Sequence, residues 1–304
     1  YMLSNHQGVE AGVLEQDGNR FLRLAYASNT YTNNTVGFST VDEGPYASVA
    51  VEFDFRMTPG SGRADGFGLA LLDTATWGTS GDAPAFSLEP SLAASFGLGF
   101  DIYNNGESNN NHLSVHANGT RLTEFSSPGF DLANGVFNRA RVTLTAVEGG
   151  ALLNVVLTPD VAGGGTAVAP IVDYFIAGLQ LRTSRVAFGA FSGGQTADHD
   201  IDNVAFASTP GTLPALPVMD VGSTVTATIA ASGEVDRYAL TLDGATRLVF
   251  DTLTSNYYFR WSLTGPQGTV VGDRYFGNSD SYDGFSVLDL PAGETGMAVD
   301  VGRG

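Results

Sequence analysis

Apolar residues recur at every second position along most of this chain, and no stretch of three or more turns repeats them at helical spacing. In ASVAVEFDF, Val49, Val51, Phe53 and Phe55 share one face, and Glu52 and Asp54 share the other. In FGLGFDI, Phe96, Leu98, Phe100 and Ile102 alternate with small or polar residues. GFGLALL (66–72), RVTLTAV (141–147), ALLNVVL (151–157) and RVAFGAF (185–191) are further runs of this kind, and Gly, Thr, Ser and Asn punctuate them. Period two with turn residues between short runs predicts antiparallel strands, and many such strands without helices predict an all-β sandwich.

Composition narrows the function classes. The formal net charge is −18, and all 14 basic residues are Arg. Nucleic acids and anionic lipids reward clustered positive charge, so neither is an expected partner, whereas divalent cations and neutral ligands are. With no cysteine, a disulfide framework, a thiolate zinc site and a Cys nucleophile are excluded. A cysteine-free extracellular protein needs another staple, and bound calcium supplies one. No apolar run approaches the roughly 18 residues of a membrane span. The opening YMLSNHQG does not read as a signal peptide.

The stretch STPGTLPALPV (208–218) holds three prolines, which cannot donate to a strand ladder, so 208–217 reads as a Pro-rich linker. Strand patterns resume in TVTATIA, DRYALTL, TRLVFD, YFRWSLT and FSVLDL, giving a second, smaller β domain over 218–304 that reads as cut short at its end. Before position 218 stand 21 acids and 9 Arg, and from there on 11 acids and 5 Arg, so neither domain suits a polyanion.

Three stretches could carry chemistry. DIYNNGES (101–108) sets oxygen donors at alternate positions: the Asp101 carboxylate, the Tyr103 carbonyl, the Asn105 amide and the Glu107 carboxylate. A chain curling round a hard cation presents ligands with this spacing, and an Asn-rich hairpin loop is the alternative. An EF-hand is rejected, because its twelfth position here is His112 and no helices flank the loop. RADGFGLALLD (63–73) places Asp65 at the mouth of a strand, either as an acceptor for ligand hydroxyls or as a turn residue capping amides. GAFSGGQTADHDIDNVAF (189–206) offers Gly193 and Gly194 for close backbone approach, then Asp198, His199, Asp200 and Asp202, a cluster that could bind metal but reads rather as a solvated turn before a last strand.

In this order, ADGFGLALL, FDIYNNG with NHLSVHANG after it, and FGAFSGGQTADHDI resemble the L-type lectins, the legume lectins and the ERGIC-53-like cargo lectins, over about residues 1–207. The strand VAVEFDFRM resembles the family's as well. The resemblance implies a concanavalin-like jelly-roll sandwich. It makes Asp65 the sugar-binding acid, following a cis peptide after Ala64. It makes Asp101, the Tyr103 carbonyl and Asn105 calcium ligands, with Glu107 where the family has a last calcium Asp. Asn105 would also bind sugar, the Tyr103 ring would stack on it, and Gly193, Gly194 and Gln195 would close over it. His112 matches the family's transition-metal His, but Gly99 stands where a Glu belongs, so a complete second metal site is not expected. His116 reads as structural. No counterpart of the legume Gly-Gly loop is recognisable between 80 and 96. The second domain, with SGEVDRYALTL, FRWSLTGPQGTVV and VLDLPAGETGMAV, resembles bacterial pre-peptidase C-terminal-like β-sandwich modules, which act as spacers or attachment modules.

The function these features predict is calcium-dependent, non-catalytic carbohydrate binding by a secreted or surface bacterial protein, in adhesion or glycan attachment, with glycans and further domains of a larger surface protein as partners. One alternative is a glycoside hydrolase or lyase on a related sandwich. Glu52 and Asp54 make half of the E-x-D-x-E pattern of jelly-roll glucanases, but Arg56 breaks it, and Asp65 with Glu107 is a conceivable pair in which Glu107 is better explained as a metal ligand. The other is a calcium-stapled structural module of an adhesin with no sugar site.

Overall fold

The computed structural model describes residues 1–147, 149–212, 217–229, 235–254, 256, 258–265, 268–278, 287–290 and 293–303. The chain divides into two compact units, one of Tyr1–Val147 with Ala151–Leu213 and one over Pro214–Gly304. Residues 213–216 of the Pro-rich segment lie outside the described residues.

The first unit contains β1 (Met2–Gln7), β2 (Gly12–Gln16), β3 (Asn19–Ala25), β4 (Thr32–Gly37), β5 (Tyr46–Pro59), β6 (Gly66–Asp73), α1 (Thr74–Trp77), β7 (Ser95–Asp101), β8 (His112–Ala117), β9 (Thr120–Phe125), β10 (Asn138–Val147), β11 (Gly150–Thr158), β12 (Val168–Ala177), β13 (Ser184–Ser192) and β14 (Ala197–Pro210). They form two seven-stranded sheets, ordered β1-β4-β13-β6-β7-β8-β9 and β12-β11-β10-β5-β14-β3-β2. The described pairings in both are antiparallel.

Alternation explains the sandwich core. Val49, Val51, Phe53 and Phe55 of β5 are buried, as are Phe96, Leu98 and Phe100 of β7. Phe53 joins the sheets: its ring meets those of Phe67, Phe100 and Phe188 at 6.1, 5.9 and 4.8 Å, edge-on in each case. Phe67 and Phe100 stack at 4.6 Å on neighbouring strands. Such pairs add about 0.5–1.5 kcal/mol each to the burial of the rings.

Strands β6 and β7 are buried on both faces, which alternation alone does not predict. The segment after α1 crosses the outer face of their sheet and lies on a row of glycines. A Cβ added to Gly189, Gly68 or Gly97 would meet the carbonyl oxygens of Phe86, Ser87 and Pro90 at 2.5, 2.4 and 2.6 Å respectively. A backbone can pass this close to a sheet only where side chains are missing.

One expectation is corrected. Residues 198–202 are not a solvated turn but the start of β14, paired with β5 and β3. His199 and Asp200 are fully buried. Arg23 and Arg56 both grip Asp200 at 2.7 Å, and Arg23 also reaches Asp198 at 2.7 Å, so the cluster is a compensated ion network. β14 continues through Pro210, opposite Tyr46, into the segment read as linker.

In the second unit, β15 (Val235–Leu242), β17 (Phe259–Gly265), β18 (Gly268–Tyr275) and β20 (Gly293–Arg303) form a sheet ordered β15-β20-β17-β18, and β16 (Thr246–Val249) pairs with β19 (Val287–Leu290). Its core includes Leu240, Leu242, Trp261, Leu263 and Val271.

Truncating Phe53 should therefore loosen both sheets of the first unit. Phe53→Ala is expected to cost about 3–5 kcal/mol, measured by urea denaturation of the full chain. A loss under 1 kcal/mol would contradict the inter-sheet role of this ring.

Candidate functional site

Register builds the site. Phe191 of β13 faces Gly66 of β6, Gly66 faces Asp101 of β7, and Asp101 faces His112 of β8. One line across four strands thus ends at the loops that carry Asp65, residues 102–111 and Gly193.

Asp65 is buried, and the peptide joining it to Ala64 is cis. Its backbone is clamped between strands, with its N–H donating to the Phe191 carbonyl at 3.1 Å and its carbonyl accepting from Ile102 at 3.0 Å. Its carboxylate accepts from the Gly193 amide at 2.6 Å and from the Asn105 side chain. Burial raises its pKa, and those two donors oppose the rise. The structure therefore brings Asp65, Asn105 and Gly193 together.

The loop after Asp101 is folded by its own side chains. Asp101 Oδ1 accepts from the Tyr103 amide at 2.8 Å, Asn104 Oδ1 from Gly106 at 2.8 Å, and Glu107 Oε2 from Asn105 at 2.5 Å. Asn111 ties the far end to the Phe130 carbonyl and the Leu132 amide. Short polar side chains that bond nearby amides hold a chain in turns where no ladder is available.

Two atoms beneath this loop lack partners. Asp101 and His112 are fully buried, and neither Asp101 Oδ2 nor His112 Nε2 makes a hydrogen bond. They lie 3.6 Å apart. His112 Nδ1 is 3.0 Å from the Asn109 carbonyl, which requires its proton and leaves Nε2 with a lone pair in the neutral ring. Glu107, Asp101 and a third acid, Glu89 of the crossing segment, bring carboxylate oxygens within 4.8 Å of one another. Burial, aided by Glu107, Glu89 and Asp65, pushes the Asp101 carboxyl up to about 8, against the pull of the Tyr103 amide. Buried lone pairs facing each other amid carboxylates fit a divalent cation.

The remaining predicted sugar-binding residues are less buried. Gly194 and Gln195 are exposed, and the Gln195 side chain lies across Gly62, where an added Cβ would stand 2.0 Å from Oε1. Tyr103 is half-buried. His116 is structural, bonded to Ser91 and Ser114 at 2.7 and 2.8 Å.

Two neighbours were not legible in the sequence. Glu89 is isolated from any motif, and only the crossing segment delivers it. Tyr31 is 57% exposed, donates its amide to the Gly193 carbonyl at 3.0 Å and sets its hydroxyl 3.7 Å from where a Gly194 Cβ would be. Its φ is +54°, an outlier for a bulky residue.

No family model and no curated protein sequence matches the chain. Among solved structures it is similar to the metal-free form of lectin I-B4 from Griffonia simplicifolia, at 19% identity over 66% of this chain and 91% of that one, with a TM-score of 0.47. The seed lectin of Lotus tetragonolobus is similar at 18% identity over 70% and 93%, with a TM-score of 0.47. The exoplasmic/lumenal domain of VIP36, solved in a Ca2+/Man3GlcNAc-bound form, is similar at 13% identity over 69% and 85%, again with a TM-score of 0.47.

The Asp101 carboxyl sets a pH test. In protein stripped of divalent cations, its raised pKa means that the folded state holds a proton the unfolded state releases. That stability is complete below the ordinary value of 3.8 and is lost as pH rises toward 8, by up to about 1.4 kcal/mol per pH unit. The buried His116 and His199, lowered to about 4, act oppositely between pH 4 and 6.5. The difference between wild type and Asp101→Asn isolates the carboxyl. In chelator, urea midpoints from pH 5 to 8 should fall more steeply for wild type, and parallel curves would refute the assignment.

Proposed function

We propose that the first unit binds carbohydrate, without turnover, at a site organised by calcium. The observation that carries this reading is the meeting of the Asp65 carboxylate, the Asn105 amide and the Gly193 backbone beside the unpartnered Asp101–His112 pair. A carboxylate and an amide side by side accept from and donate to neighbouring hydroxyls, the pattern vicinal sugar hydroxyls require. The Tyr103 ring offers an apolar surface to a pyranose face, and Tyr31 extends the wall beyond Gly194.

Asp101, Glu107, Asn105 and the Tyr103 carbonyl would hold calcium, with His112 at its edge. When bound, the ion neutralises the clustered carboxylates and fixes the loop that presents Asn105. The chain's own residues do the rest. Asp65 is oriented by Gly193, and its backbone is clamped by Phe191 and Ile102. A shallow site of this kind holds one sugar at about millimolar strength, near −4 kcal/mol, and display in several copies supplies avidity.

The hydrolase reading has less support. Glycosidases need two free carboxyls across the scissile bond. Asp54 is gripped by Arg139 at 2.7 and 3.0 Å and by Asn203 at 2.8 Å, and Glu52 faces Arg139 and Arg141. Among the described residues no helix is long and apolar enough to cross a membrane. The motif resemblance of the second unit supports a spacer or attachment role in a secreted or surface bacterial protein.

A glycan array run with calcium and with chelator tests the reading. Wild type should bind a subset of glycans only with calcium. Asp65→Ala should abolish binding while keeping the calcium-dependent rise in melting temperature. Tyr31→Ala should weaken binding about tenfold, as loss of one aromatic contact implies. Failure of wild type to bind any glycan at saturating calcium would replace this reading with the structural one, and turnover of a labelled oligosaccharide would replace it with the enzymatic one.

A further inference from the structure

The crossing segment and the cation site are linked through one glycine. Gly99 of β7 lies two residues before Asp101, and a Cβ there would stand 2.1 Å from the Leu88 carbonyl oxygen and 2.2 Å from Ser114 Oγ. No side chain can leave the sheet at this point, because the segment occupies the space. The same segment puts the next residue, Glu89, beside Asp101 and Glu107. The room that Gly99 gives up is the room through which Glu89 arrives.

From this arrangement we infer that Glu89 is a ligand of the divalent cation and that cation binding latches residues 86–92 onto the sheet, an inference that rests on the cation reading above. The independent sign of a ligand is the buried pair Asp101 Oδ2 and His112 Nε2, both without hydrogen-bond partners. Glu89 Oε1 receives Arg121 at 2.8 Å, which leaves its second oxygen for the ion. Its position is set on both sides. Leu88 lies along Gly66 and Gly99, Pro90 packs on Gly97, and Ser91 bonds His116 at 2.7 Å. The oxygens of three carboxylates within 4.8 Å of one another make a donor set for calcium or manganese, and His112 Nε2 lies 3.6 Å from Asp101 Oδ2 at its edge. Leu88 also reaches Gly66, where an added Cβ would lie 3.2 Å from its own Cβ, so the latch abuts the residue after Asp65. The ion thereby fixes two walls at once, the 101–111 loop and the crossing segment.

The alternative role for Glu89 is a surface ion pair with Arg121, worth 0–1 kcal/mol. Titration calorimetry of the full chain with CaCl2 alone and MnCl2 alone separates the two. Glu89→Gln should lower cation affinity about tenfold or more, as removal of one charged ligand does. Arg121→Gln should leave affinity equal or higher, and Asp101→Asn should abolish binding. Amide exchange over residues 86–92 should slow on adding cation in wild type and in Arg121→Gln, but not in Glu89→Gln. If Glu89→Gln binds like wild type while Asp101→Asn does not, the latch is wrong and the cation reading stands. If wild type binds neither cation, both fall.

Discussion

A fully buried carboxylate with one oxygen lacking any hydrogen-bond donor is the constraint around which the first unit is arranged. Desolvating such a group without compensation costs several kcal/mol or forces it to hold a proton. The surroundings of Asp101 deepen the problem, because Glu107, Glu89 and Asp65 add negative charge instead of removing it. The backbone supplies one donor to it, the Tyr103 amide, and leaves Oδ2 3.6 Å from His112 Nε2, itself without a hydrogen-bond partner. The proposed cation would resolve both deficits together, and in its absence the raised pKa lets Asp101 hold a proton instead.

The rest of the unit holds that carboxylate in line with Asp65 and Gly193. Phe100 precedes Asp101 and stacks on Phe67, which follows Gly66, so the rings that seal the core also set the relative height of β6 and β7. Antiparallel register then fixes Asp65 one residue before the Gly66–Asp101 pair. A slip of a single residue would turn Asp101 to the opposite face and Phe100 out of the core, so packing and site stand or fall together.

Much of this was legible in the sequence. Period-two runs gave β5, β7, β10, β11 and β13, because each has one apolar face with no competing pattern. The oxygen donors at 101, 103, 105 and 107 marked the loop. Three features were hidden. The glycines at 68, 97, 99 and 189 read as ordinary small residues of strands, and their purpose shows only when another backbone lies on them. Glu89 and Tyr31 sit in segments without periodicity, and only tertiary structure brings them to the site. The run from Asp198 to Asp202 read as solvated because its partners, Arg23 and Arg56, are more than 140 residues away in sequence.

That last misreading shows how this chain treats buried acids. It has no lysine, and where an acid serves the fold an arginine meets it in fork geometry: Arg23 on Asp200, Arg139 on Asp54. A guanidinium matches a carboxylate with two parallel bonds and stays charged when partly buried, which suits a sheet surface. Asp101 is as buried as Asp200 yet has no arginine against it. Arg121 stands nearby but is bound to Glu89 and Glu124. Within one molecule, then, two equally buried aspartates differ in whether the chain itself provides the counter-charge. An acid the fold neutralises is architecture, and the contrast with one left bare beside two more carboxylates is the physical ground for the cation proposed at Asp101.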